Sequence, residues 1–153
     1  MAEEYSILLQ KEKEGAPIKD LVTDFELVCL SFPFQLGVEA KDVVTDDWVE
    51  ENGEDSFVPD VLTLKAYNVD IEVGYKGNEG TALTMVDSFI DYLIGLDGFG
   101  VKLKIYNPHT NIGRQGVRFL KYEPSISFKS NGEEVYTFKI TFRVEDPKTR
   151  IVL

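Results

Sequence analysis

A chain of 153 residues and 17.3 kDa, 43% hydrophobic and 12% aromatic, suffices for one packed domain and is not compositionally disordered. No stretch approaches the ~20 apolar residues of a membrane-spanning helix, and the acidic start Met1-Ala2-Glu3-Glu4 is unlike a secretory signal, so folding in a cytoplasm is expected. Twenty-seven acids against 16 bases make free nucleic acid an unsuitable ligand, and the single cysteine, Cys29, excludes an internal disulfide or a zinc site of two thiolates.

Tyr5 to Leu9 is a short apolar run with weak strand character, punctuated by Gly15-Ala16-Pro17. Phe25 to Phe34 is rich in β-formers with apolar residues in both alternating sets, the pattern of a strand covered on both faces. Between Asp42 and Asp60 stand Asp46, Asp47, Glu50, Glu51, Glu54 and Asp55 with no base, so the segment reads as a solvated acidic loop. Residues 1–60 as a whole carry 16 acids and 4 bases. An EF-hand with Gly53 as its invariant glycine needs an acid where Trp48 stands, so that calcium motif fails.

Val61 to Tyr75 changes phase midway: Leu62, Leu64 and Ala66 share one parity, Val69, Ile71, Val73 and Tyr75 the other. A bulge near Tyr67-Asn68, or two shorter strands, would accommodate the change. Thr81 to Ile94 is the one convincing helix. Ala82, Met85, Val86, Phe89, Ile90 and Leu93 form its apolar face, Asn78 or Thr81 can cap its start, and Gly95 suits its end. Strand candidates then follow in quick succession: Val101–Tyr106, Gly116–Tyr122, Ser125–Lys129 and, after the hairpin signal Asn131-Gly132, a strand whose Tyr136, Phe138, Ile140, Phe142 and Val144 point one way. The expected fold is mainly β (α+β): a single-domain antiparallel β-sandwich, bent sheet or partial barrel with one flanking helix at about 81–94.

Catalytic constellations are hard to assemble from these residues. The only histidine, His109, falls in a turn; Cys29 lies in an apolar strand; and Asp87 and Asp91 share the solvated face of the helix. No catalytic, cofactor or metal residue is therefore assigned. Interface candidates are Trp48, either a core anchor or an interface residue, and Arg114 and Arg118, suited to salt bridges with an acidic neighbouring subunit. The apolar end Ile151-Val152-Leu153 should dock on this subunit or another.

The acidic loop closing on Phe57-Val58-Pro59, the strand into Gly77, and the helix ending Phe89-Ile90-Asp91-Tyr92-Leu93 form a recognisable order. After them come Gly100–Tyr106, the Gly113–Val117 turn and the last strand before Asp146-Pro147. This order resembles small structural proteins of tailed phages and prophages, in the superfamily of tail-tube and distal-tail proteins. The resemblance spans roughly residues 55–150 and implies a β-sandwich with a flanking helix, no catalytic residues and no cofactor. It also implies homo-oligomeric rings, hexamers in that superfamily, that contact neighbouring tail proteins and enclose DNA as a repelled cargo. The protein would be made in the bacterial cytoplasm and end in the virion tail, with no membrane partner. The acidic excess of residues 1–60 is then expected partly on the lumen or the ring face. The larger distal-tail proteins carry a further carbohydrate-binding or galectin-like domain that this sequence does not show. A monomeric β-sandwich module binding carbohydrate or another ligand and presenting Trp48, Tyr106 and Tyr122, and an enzyme built on Asp87 and Asp91 or on the acidic loop with a metal, are the competing readings.

Overall fold

Seven strands of alternating polarity pair into one antiparallel sheet, ordered β2-β1-β7-β8-β9-β6-β3. The strands are β1 (Leu8–Lys11), β2 (Ile18–Asp20), β3 (Val28–Ser31), β6 (Tyr67–Asn78), β7 (Leu103–Asn107), β8 (Ile112–Ser130) and β9 (Glu133–Val144). The computed structural model describes residues 6–32, 39–46 and 52–153. A separate two-stranded ribbon, β4 (Val44–Asp46) and β5 (Asp55–Phe57), lies within the acidic segment expected to be loop. Asp47, Trp48, Glu50 and Glu51 fall outside the described residues.

The edge strands β2 and β3 lie at opposite ends of the sheet, yet helix α1 (Leu21–Phe25) and two further residues suffice to join them. So short a link requires the sheet to roll back on itself, giving the bent sheet expected, with its core on the concave side. Helix α2 (Ala82–Leu93) fills that concavity against β6 and β9. Phe138, Ile140, Phe142 and Val144 on β9 meet Val69, Ile71 and Val73 on β6 there. The β8–β9 hairpin turns at Asn131 (φ 53°) and Gly132 (φ 80°), the paired left-handed conformation of a type I′ turn.

Both ends of α2 differ in detail from expectation. Neither Asn78 nor Thr81 caps it by side chain: the Thr81 hydroxyl donates to the Asn78 carbonyl, 2.6 Å. Instead, Glu134 on β9 accepts from the Ala82 N–H at 2.6 Å and sets a carboxylate at the positive end of the helix. At the other end the Gly95 N–H donates to Tyr92 and the Leu96 N–H to Asp91, a Schellman closure with Gly95 at φ 94°.

Three readings of the chain order are corrected. Phe25 belongs to α1, whose start is capped by the Asp20 carboxylate accepting from Val22 and Thr23, so the strand begins only at Val28. Residues 61–66 lie outside the main sheet and β6 pairs with β9 from Tyr67 to Asn78 without a bulge, so the phase change marks where the strand begins. Bulges on β8, between Phe119 and Lys121 and between Pro124 and Ser127, lie instead within one long strand that takes the place of two expected strands and a turn at Gly113–Val117.

Candidate assembly interface

Strand β8 is nineteen residues long, and its two edges are treated unequally. On one side β9 accompanies it from Val117 to Ser130. On the other, β7 covers only Ile112 to Val117. From Arg118 to Ser130 that second edge has no paired strand among the described residues, and Leu120, Ile126 and Phe128 are exposed along it. Unpaired N–H and C=O groups beside exposed apolar side chains form a template for another strand. At the far end of the sheet, β3 meets β6 only from Glu72 to Gly74, so the outer edge of β6 beyond Gly74 is likewise unpaired among the described residues. One subunit therefore offers two different edges.

The convex face of the sheet, away from both helices, is a ladder of opposite charges. Lys139 reaches Glu123 at 3.4 Å and Asp70 at 4.0 Å, and Lys121 pairs with Glu123 at 2.7 Å. The adjacent cations hold the Glu123 carboxyl below the usual carboxylate range, hydrogen bonds from Lys121 and then Lys139 contributing most. Thr141 donates to Asp70 at 2.6 Å and Arg143 to Asn68 at 3.1 Å. Arg118 pairs with Glu145 of its own chain at 2.9 Å and stays exposed.

Arg114 departs furthest from its expected role. It lies within β8 and is 1% exposed, so it cannot meet a neighbouring subunit. Its Nη1 donates to the Thr149 carbonyl at 3.3 Å, and the Ile151 N–H donates to the Gly113 carbonyl at 3.3 Å. Asp146 accepts from the Thr149 and Lys148 N–H groups, which keep its carboxyl below the ordinary aspartate value, Thr149 most strongly. These bonds strap the closing segment across β8. Ile151 docks on its own subunit, Leu153 is half-buried and Val152 is exposed. A Cβ at Gly113 would stand 2.4 Å from the Ile151 carbonyl oxygen, so Gly113→Val is expected to displace the strap and cost about 1–3 kcal/mol. Raised amide exchange at Thr149 and Ile151 checks this.

The other sequence candidates do not converge. The His109 N–H donates to Asn107 Oδ1 in the β7–β8 turn. Cys29 is buried, and desolvation pushes its thiol up to about 12, far from a nucleophile's range. Asp87 lies on the exposed flank of α2, and Glu54 is exposed beside the ribbon, whose strands contain Asp46 and Asp55. Tyr106 is buried and hydrogen-bonded to Asn111, whereas Tyr122, bonded to Tyr136, lines an open groove beside α2 with Leu83, Val86 and Ile90, so the two aromatics do not share a cleft. No group of three acidic, histidine or cysteine side chains is placed to hold a metal among the described residues, and no helix among them is long and apolar enough to cross a membrane. A concavity of about 790 Å³ is an open groove between α1, the end of β6 and the start of α2.

The free β8 edge was not legible in the sequence, because the alternation there is interrupted by two bulges and Pro124. No protein-family model and no curated protein sequence matches the chain. Among solved structures it is similar to the Dit (gp 19.1) protein of SPP1, described as a paradigm of the hub adsorption apparatus in phages that infect Gram-positive bacteria. The likeness covers 92% of this chain and 50% of that one, with a TM-score of 0.56 and 16% identity. The chain thus spans half the length of that protein and shares the fold of the part it matches.

Proposed function

We propose that this chain is a non-enzymatic structural subunit of a phage or prophage tail, joining copies of itself edge to edge into a ring around a DNA channel. The observation that carries the reading is the fold shared with the Dit protein over 92% of the chain. The unpaired edges of β8 and β6 support the ring. Two different edges make a head-to-tail contact, which closes into a ring when the rotation between subunits allows. Six is the size we favour. Neighbouring tail proteins would then stack on its faces.

In such a ring α1 and α2 occupy the outside, because helices on the inside would fill the channel. The lumen is then the convex sheet face, where Asp70, Glu72, Glu123 and Glu145 stand among Arg118, Lys121, Lys139 and Arg143. Of the two positions expected for the acidic excess of residues 1–60, our reading takes the ring face rather than the lumen. Passing DNA meets cations already paired with carboxylates, and so is not retained. Electron microscopy of the concentrated protein tests the assembly: annular particles of one size are expected, and a strictly monomeric protein at millimolar concentration with bound glycan would favour the binding-module reading.

A further inference from the structure

Helix α1 ends on a residue poorly suited to its conformation. Glu26 closes it at φ 56° and ψ 31°, a left-handed position that glycine or asparagine usually holds, and its N–H donates to the Val22 carbonyl at 3.0 Å. The helix has only five residues, and Phe25, Leu27 and Cys29 carry the alternation of a strand back into its last turn. Across from α1, the backbone groups of Tyr75–Asn78 that face away from β9 have no strand beside them among the described residues. The groove of about 790 Å³ runs along this stretch, with Val22 and Glu26 on its other wall.

Strand β3 already sets the register that would fill this groove. Val28 lies opposite Gly74 and Cys29 opposite Val73. Carried back to Asp24, the same antiparallel pairing puts Leu27 opposite Tyr75, Glu26 opposite Lys76, Phe25 opposite Gly77 and Asp24 opposite Asn78. The side chains match. Leu27 and Phe25 stay on the concave face with Cys29, and Phe25 meets the Tyr75 side chain, which lies over Gly77. Glu26 meets a lysine whose ion pair with Glu133 is 3.9 Å long. Unwinding also supplies the reach, since Leu21–Thr23 lengthen from about 1.5 to about 3.3 Å per residue. We propose that Asp24–Leu27 switch between the last turn of α1 and an extension of β3 that covers the outer edge of β6. The helical form keeps Phe25 against Phe89, 5.0 Å between ring centroids, and is the major one; the extended form relieves Glu26 and pairs the free edge. A covered edge cannot accept a neighbour's strand, so the extended form keeps subunits apart. That consequence rests on the ring reading, whereas the equilibrium itself does not.

The equilibrium is read in the full chain carrying Asp24→Cys and Asn78→Cys, bridged by dibromobimane, which fluoresces once both thiols of a close pair have reacted. Side chains directly opposite on paired strands stand about 4.5–5.5 Å apart, within its span, and the buried Cys29 is a silent background. Residue 26 is the lever. In this background Glu26→Gly, which suits the left-handed end of α1, is expected to slow bridging about tenfold, and Glu26→Val, which does not, to speed it by a similar factor. Glu26→Gly is also expected to raise the melting temperature, so slower bridging there is not a failure to fold. Bridging at one rate whatever stands at residue 26, or faster bridging in Glu26→Gly, overturns the switch. Without the added cysteines, Glu26→Gly should form annular particles at a lower protein concentration than Glu26→Val, and the same onset in both overturns the guarding role. A lever that works on bridging while no variant forms annuli overturns the ring reading and leaves the switch standing.

Discussion

Lys11→Met is expected to destabilise the fold by about 3 kcal/mol, the range seen when one partner of a buried charged network is removed. Lys11 stands on β1 with its side chain 1% exposed, and its ammonium donates to the carbonyls of Tyr92 and Gly100 and pairs with Asp97 at 3.4 Å. The Tyr92 ring lies beneath it, 4.5 Å from Nζ to the centroid. The ammonium therefore closes the negative end of α2 and holds the Gly95–Gly100 loop around itself, linking β1 to an element more than eighty residues away. Methionine fills the space but leaves two inward-facing carbonyls and a carboxylate without their donor.

The same residue makes a pH prediction. Desolvation lowers its pKa from 10.5, opposed in part by Asp97. Between that lowered value and 10.5 the unfolded chain holds more protons at this position than the folded chain, so its contribution to stability rises with pH there and is smallest below the lowered value. Urea unfolding of the native and Lys11→Met proteins across the alkaline range measures both effects. The difference between them should widen as pH rises through that window and level off above 10.5, where both states carry the neutral amine.

Phe89→Ala is expected to cost about 3–5 kcal/mol, the usual penalty for emptying a large aromatic site in a core. Phe89 is buried at the meeting of the two helices, its ring centroid 5.0 Å from that of Phe25, which lies 5.3 Å from Tyr92. Five residues do not hold a helix by themselves; α1 depends on this aromatic cluster and on its Asp20 cap. Because α1 also joins the two ends of the sheet, its loosening should spread. Amide exchange should rise first at Leu21–Leu27 and then in β3, while the β8–β9 hairpin keeps its protection. Phe89→Leu, retaining most of the buried area, should recover more than half of the loss.

The parts legible in the sequence are those where one physical signal acts alone. Helix α2 follows from an uninterrupted apolar stripe ended by a glycine, and β9 from five alternating residues beginning just after an Asn-Gly turn. Helix α1 was hidden because Leu21, Val22 and Phe25 resemble the strand that follows; Asp20, two and three residues before the N–H groups it caps, was the only local sign. The change of parity before Val69 was visible, but parity does not separate a bulge from the start of a strand, and only the pairing with β9 decides. Arg114 read as a surface cation among glycines and polar neighbours. Its burial is set by the segment from Asp146 to Ile151 crossing over it, a contact thirty-five residues away in the chain at Thr149. Of the interface, the apolar C-terminal end and the acidic segment were legible as composition, whereas a free strand edge is a property of pairing and leaves no signature in side chains.

The central claim is that unlike edges of identical subunits meet, and cysteine crosslinking tests it most directly. Cys29 is buried and its thiol is held protonated, so the native chain supplies a silent background. A cysteine at Ser125 reports the free edge of β8 and one at Lys76 reports the free outer edge of β6. With a short bismaleimide, the double variant Ser125→Cys, Lys76→Cys is predicted to give a ladder of covalent oligomers that stops at one closed size, while neither single variant crosslinks to itself. Covalent dimers formed by the Ser125→Cys single variant, or a double variant that stays monomeric under conditions where the uncrosslinked protein forms rings, would contradict the account.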